Sequence, residues 1–459
     1  MSTADTSNPA LDRAIAKAYR RLIPLLFLCY MVAYVDRTNV SIAKLTMVKD
    51  MPAFTESVFG FGIGIFFLGY FLLEIPGTLI VERWSARKWI CRIMVSWGIV
   101  AALTAFVTAP WHFYTLRFIL GLAEAGFFPG VIVYLTHWFP ARDRTRALAA
   151  FLIATPVAQI LSPKMSNFLI QVGYDGNPEW FGLEGWQLVY IAWGIPAVVL
   201  GLVVLYALTD RPAHAKWLTV EEREALEAQL ALEKELRKGH AHMGILQALS
   251  HPKVLILAAA YFLVVTANYG VEMYLPSILK SWYQMDLDKV TWLVVLPPIG
   301  SLIGQLFIGW NSDRTRERRL HTAGPILLGA ASLAAVAFIK NPPLWLTVTL
   351  FILALTGLKA YLPAFWSLPS LFLTEAAAAS SIGLINSMGN LGGFLGPYVL
   401  GVVKENTGDY RIGIMVLAAS MALSASIIVV LGLGRSDRVE DLIKKAERAD
   451  EPLPSPARA

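Results

Sequence analysis

Charge is scarce in this sequence. Only 16% of its 459 residues are Asp, Glu, Lys or Arg, where a soluble domain of ordinary composition carries about a quarter. Cysteine is scarcer still: Cys29 and Cys91 are the only two, both in or beside apolar stretches, so no disulfide framework is implied. Catalytic signatures are lacking. There is no serine-hydrolase elbow, P-loop, HExxH or paired CxxC pattern. Without a clustered catalytic or metal constellation the chain is not expected to be an enzyme, and no metal or cofactor is implied. Without a hydrophilic region large enough for a nucleotide domain, an ATP-driven pump is excluded. The N-terminal MSTADTSNPALDRAIAKAYRR has no apolar core of a signal peptide, so the first apolar stretch is expected to remain as an anchor.

Apolar residues fill the space that charge leaves. They make up 56% of the chain, and the mean hydropathy is +0.55. They fall in stretches of about 20, the length that crosses the hydrocarbon layer as a helix. Twelve spans are predicted, at approximately 22–43, 58–80, 90–109, 112–138, 147–172, 186–208, 252–279, 290–311, 322–339, 343–373, 378–402 and 411–434. The expected fold class is therefore an all-α membrane protein. The net charge of +6 would suggest nucleic acid in a soluble protein, but its location gives a different reading. The N-terminal tail and links 2–3, 4–5 and 8–9 hold about fifteen Lys and Arg, against about seven in the six alternate links, which places both termini in the cytoplasm.

Six spans precede a hydrophilic stretch and six follow it. The expected organisation is a tail (1–21), a six-helix bundle (22–208), a linker (209–251), a second six-helix bundle (252–434) and a C-terminal tail (435–459). Within the linker, WLTVEEREALEAQLALEKELRKGH is rich in helix formers of mixed charge and reads as an amphipathic cytoplasmic helix. The halves also share a loop signature. Link 8–9 reads GWNSDRTRERR, with Gly309, Asp313, Arg314, Arg318 and Arg319 in order. Link 2–3 reads GTLIVERWSARK, with Gly77, Glu82, Arg83, Arg87 and Lys88 in similar order. A signature repeated six spans later is an internal repeat.

With these loops, the twelve spans and the central linker, the chain resembles the major facilitator superfamily. Three further strings resemble its anion:cation symporter family, which includes carriers of tartrate, phthalate, galactonate and glutamate: YVDRTNVSIA ending span 1, RFILGLAEAGFFPG in span 4 and INSMGNLGGFLGPYVLG in span 11. The resemblance runs from about residue 20 to 435. It departs in the first loop, where Glu82 replaces the usual Asp one residue late. It implies two bundles rocking about a central site, with Glu82, Arg83, Asp313 and Arg314 latching the cytoplasmic face. It also implies a multi-pass protein of the bacterial inner membrane, functional as a monomer.

Setting aside Arg92, Lys253 and Arg411 at the span starts, eight charges fall inside the spans: Arg37, Arg117, Lys164 and Lys359, and Asp36, Glu74, Glu124 and Glu272. Each costs at least about 2.5–3.5 kcal/mol at mid-membrane, so they are expected to face a polar interior. Four of each sign leave that interior neutral. Protonating one carboxylate leaves one positive charge, and an incoming monoanion restores neutrality, a physical route to proton–anion symport.

Asp36 and Arg37 point about 100° apart on a helix and serve different partners. The resemblance implies Arg37 as the anion-binding residue and Asp36 as a proton-coupling carboxylate; a guanidinium fork suits a carboxylate. Arg117 and Glu124, seven residues apart, share a face of span 4, and Gly121 between them permits close helix approach. The resemblance makes Glu124 the coupling glutamate and Arg117 its partner. It also makes Tyr70, Trp366 and Asn386 substrate contacts. Pro363 and Pro369 are expected to break span 10 around Trp366. Lys164 and Lys359 are candidate contacts for a second carboxylate. Alternatively Lys164 snorkels to an interface, and Lys359 pairs with Glu272.

The expected function is thus proton-coupled uptake of an organic carboxylate by alternating access. The cation count favours a tartrate- or phthalate-like dicarboxylate. A sugar acid or aromatic monocarboxylate is the alternative, and a non-transporting sensor with a carrier fold is the alternative from another class. The expected partners are the small anion, protons and the lipid bilayer, with no nucleic acid.

Overall fold

A computed structural model describes residues 8–83, 85–174, 176–238, 250–371 and 375–434. Among them the regular structure is helical; the one β-type pairing is an isolated bridge between Trp180 and Leu183. Among the described residues, eleven helical stretches are long and apolar enough to cross a membrane. The span-11 segment is also one long helix, Glu375–Thr407. Asn386, Asn390 and its many glycines dilute its hydropathy. Span 1 is longer than its apolar core suggests: a helix Pro9–Thr38, a turn at Asn39 and a second helix Val40–Asp50. The Asn8 side chain starts it by accepting from the backbone N–H groups of Ala10 and Leu11, which otherwise lack partners in a first turn.

The contacts divide the chain into two compact units. The first comprises residues 1–241, 269–296 and 393–410, and the second 242–268, 297–392 and 411–459. In the first unit, the helices Glu56–Arg83 and Pro110–Glu124 approach backbone to backbone. A Cβ added to Gly121 would lie 2.0 Å from the carbonyl oxygen of Phe66, and one added to Gly69 would lie 2.3 Å from that of Phe118. Small residues permit this approach in a membrane, where lipid supplies no hydrophobic drive between helices.

The linker does form a helix, Val220–Lys238, and it is docked rather than free. Lys17 donates to Glu222 at 2.7 Å, Arg13 to Glu221 at 3.3 Å, and both Glu233 oxygens accept from the backbone N–H of Ala141 at 3.0 and 3.1 Å. Just before it, Trp217 stacks on Trp138 with ring centroids 5.2 Å apart.

In the second unit, span 10 breaks where its prolines sit: a helix Leu344–Ala360, a short helix Leu362–Trp366 and a 3-10 turn Pro369–Leu371. Gly357 packs directly on the helix Arg319–Phe338, where a Cβ would lie 2.3 Å from the carbonyl oxygen of Pro325. The loop between spans 8 and 9 is fastened by an Arg318–Asp313 ion pair at 2.6 Å and by the Gly434 carbonyl, which accepts from the Arg318 N–H at 2.7 Å.

Candidate functional site

Asp36 and Arg37 sit in the last turn before the break at Asn39. Successive helical positions diverge by about 100°, and the two side chains do serve different partners. Asp36, 2% exposed, accepts from the indole Nε1 of Trp97 at 3.0 Å and from the Asn39 amide at 3.5 Å. Arg37 points to span 4 and forms an ion pair with Glu124. Its Nη1 donates to the Tyr269 hydroxyl at 3.3 Å. Its guanidinium lies 5.3 Å from the ring centre of Phe66 and 5.1 Å from that of Tyr70, so two aromatic faces cradle the cation. The Arg37 Nε is buried and makes no hydrogen bond to any described residue.

Glu124 is the last helical residue before an interruption of span 4. The helix Pro110–Glu124 ends there, Ala125 is extended, and Gly126 adopts φ +86° before the helix Phe127–Thr136 begins. That φ lies in the left-handed region, which suits glycine. Arg117 does not pair with Glu124 in this arrangement. It is 1% exposed, donates from Nε to the Gly62 carbonyl at 3.3 Å, and places its guanidinium 5.0 Å from the Phe66 ring centre. Both of its terminal nitrogens are buried with no hydrogen-bond partner among the described residues. Phe66 therefore contacts two guanidiniums, one from span 1 and one from span 4.

A second polar group adjoins the first. Glu272 Oε1 accepts from the Tyr34 hydroxyl at 2.5 Å and from Gln159 Nε2 at 2.6 Å, and Gln159 also donates to Tyr34 at 2.8 Å. Arg37, Gln159, Tyr269 and Glu272 keep partial exposure, whereas Tyr34, Asp36, Arg117 and Glu124 are buried. The exposed edge of the cluster is thus the edge that water and a small solute can reach.

The other expected site residues have their own neighbours. Lys164 pairs with Asp288 at 3.7 Å and lies 3.4 Å from the ring centre of Trp292. Trp366 packs edge-on to Tyr261 at 5.0 Å in the second unit, where Lys359 ends the helix Leu344–Ala360 and Asn386 lies on Glu375–Thr407. Asp313 is held by Arg318, and Arg314 lies 5.5 Å from the ring centre of Trp310. The side chains of Glu82 and Arg83 lie outside the described residues. Four polar residues escaped the reading of the sequence: Tyr34, Lys44, Gln159 and Tyr269. Tyr34 carried a signal, since it stands one turn before Arg37. Lys44 lies one residue beyond the expected end of span 1, yet is 1% exposed and paired with Glu56.

The sequence profile described as Major Facilitator Superfamily matches residues 26–397. The chain belongs to that superfamily. Among curated members, a putative tartrate transporter of Agrobacterium vitis is 40% identical over 438 residues, covering 95% of this chain and 94% of that protein. The putative metabolite transport protein NicT of Pseudomonas putida is 36% identical, covering 94% and 98%. Among solved structures, the xylose transporter XylE from E. coli aligns with a TM-score of 0.69 at 15% identity, over 92% of this chain and 99% of that one. That last likeness establishes the major facilitator fold expected from the twelve spans. Membership makes the chain a multi-pass membrane transporter and not an enzyme.

Proposed function

We propose that this transporter carries an organic carboxylate inward together with protons, and that a tartrate-like dicarboxylate is its substrate class. The single observation that carries this reading is the Arg37–Glu124 pair, with Arg37 partly exposed and its Nε uncommitted. A guanidinium is the side chain best shaped to take both oxygens of a carboxylate. When a substrate carboxylate takes Arg37, Glu124 loses its partner. An unpaired carboxylate buried in a membrane protein costs several kcal/mol, and Glu124 relieves that cost by taking a proton. One proton then balances one carboxylate in the site; the second carboxylate of a dicarboxylate adds one further negative charge, which Lys164 or Lys359 is proposed to meet. When the proton leaves, Glu124 reclaims Arg37 and expels the anion.

The relatives named as tartrate transporters support the substrate class. Asp36 and Arg117 belong to the coupling group in this reading. Lys359, Trp366 and Asn386 remain proposed contacts through the family resemblance, and Asp288 and Trp292 offer Lys164 an alternative to substrate. The two bundles are assigned to residues 22–208 and 252–434, and alternating access exposes the site to each side of the inner membrane in turn.

Reconstituted protein tests the proposal. An inside-alkaline pH gradient is expected to drive accumulation of L-tartrate in proteoliposomes, with proton entry seen by a trapped pH dye. Arg37→Ala is expected to abolish both. Tartrate accumulation indifferent to the gradient would remove the coupling, and failure to bind tartrate or any other carboxylate would remove the substrate class.

A further inference from the structure

Two polar rungs tie the first helix to residues 269–283, both within the first unit. Tyr269 accepts from Arg37 at 3.3 Å. One turn later on one helix and one turn earlier on the other, Glu272 accepts from Tyr34 at 2.5 Å. Glu272 therefore stands about one helical turn, about 5 Å, from the level of Arg37. Gln159 Nε2 has two hydrogens, and its two contacts use them, one on the Tyr34 oxygen and one on Glu272 Oε1. The single Tyr34 hydrogen is then directed to Glu272 Oε1. That oxygen accepts twice. An amide turned the other way would set its oxygen against the carboxylate oxygen. The site built here sets a carboxyl oxygen that accepts hydrogen bonds one turn from a cation.

We propose that Glu272 is a specificity-determining residue that selects hydroxycarboxylates. This rests on the reading of Arg37 as the carboxylate anchor. Arg37 holds one carboxylate of the substrate, and Glu272, one turn away, accepts the hydrogen of a hydroxyl on the adjoining carbon chain. A substrate hydroxyl is the same kind of donor as Tyr34 and exchanges with it or with Gln159 on equal chemical terms. A dicarboxylate of the same length without hydroxyls brings no donor. It leaves Glu272 facing an added negative charge, and a site built to bond a hydroxyl discriminates against the analogue that lacks one. Arg37 and Glu272 together read the pattern of an anionic group followed by a donor, which a lone guanidinium cannot do.

The experiment is a competition binding assay on the full-length detergent-purified protein, with L-tartrate, malate and succinate as the probes. They share the four-carbon dicarboxylate frame and carry two, one and no hydroxyls. Wild type is expected to rank tartrate over malate over succinate. Glu272→Gln keeps the side-chain volume and is expected to weaken tartrate tenfold or more, about 1.4 kcal/mol, while leaving succinate within twofold or tighter. Retained succinate binding and a wild-type melting curve for Glu272→Gln guard against a variant that merely misfolds. Equal loss of tartrate and succinate in Glu272→Gln overturns the inference and makes the residue a brace. An unchanged ranking combined with an altered proton-to-substrate ratio also overturns it, and makes Glu272 a proton carrier. Wild type that binds succinate as well as tartrate defeats this inference alone. Wild type that binds no carboxylate defeats the anchor reading and this inference with it.

Discussion

Arg37 of span 1 and Glu124 of span 4 form the ion pair of this site, and Arg117, on Glu124's own helix, stands apart from it. A carboxylate has the choice of two arginines here and is bonded to the one that also reaches solvent. That arrangement puts the group that binds the anion and the group that binds the proton in direct competition.

Glu124→Gln separates the two. The amide keeps the shape but cannot take up or release a proton in the physiological range. Uphill uptake driven by a pH gradient is expected to vanish, while exchange of internal for external substrate persists. Gradient-driven accumulation at the wild-type level would show that the coupling proton is held elsewhere.

The pair of the buried Lys44 and the partly exposed Glu56 gives a stability prediction. Lys44 is 1% exposed, and its ammonium lies 3.9 Å from the ring centre of Tyr274. Glu56→Gln leaves that ammonium buried without its counter-charge, and loss of one member of such a pair costs about 3 kcal/mol or more. A clear fall in Tm is expected. Adding Lys44→Met removes the stranded charge and is expected to restore most of the loss; a double variant less stable than Glu56→Gln alone would refute the account.

Topology is tested by labelling. A cysteine at Gln229, on the docked linker helix, is expected to react with an impermeant thiol reagent only after the cells are opened, because the Lys and Arg asymmetry places the linker inside. Reaction in intact cells would invert the orientation.

The docking of that helix is expected to depend on pH in one direction. The hydrogen bond from Lys17 holds the Glu222 carboxyl below its ordinary value of 4.5. A group whose folded-state pKa is depressed contributes its stabilisation at neutral pH and loses it as pH falls through the lowered value. Spin labels at the exposed Ala16 and Ala228 are expected to keep one distance from neutral pH down to 4.5 and to separate only below it. Lys17→Met is expected to move that separation to higher pH.

Much of this was legible beforehand. Apolar length places the spans, because the bilayer imposes one length on every crossing helix. The scarcity of charge made Asp36, Arg37, Arg117 and Glu124 stand out, and the prolines marked where span 10 breaks. The pairing was not legible. A spacing of seven puts Arg117 and Glu124 on one face, and the helix Pro110–Glu124 runs unbroken between them, yet the Glu124 side chain pairs with Arg37 of another span. Gly126 was in plain view, yet a glycine in an apolar span reads equally well as a packing position. Gln159 and Tyr269 were hidden for a different reason: neutral polar residues cost little in a membrane, so nothing singles them out until their partners are in place. Lys44 fell outside because span 1 runs past its apolar core as a second helix.

The interruption after Glu124 makes span 4 two rods with a joint. Arg117 belongs to the N-terminal rod, pinned to Gly62. Across the joint, Phe127 packs edge-on against Trp97 at 5.3 Å, and Trp97 in turn holds Asp36. Glu124 is the last residue before the pivot. A bend at Ala125 and Gly126 would therefore be felt on one side by the carboxylate that faces Arg37, and on the other by the tryptophan that faces Asp36. The two acidic groups of the site are geared to one backbone angle, although no bond joins them.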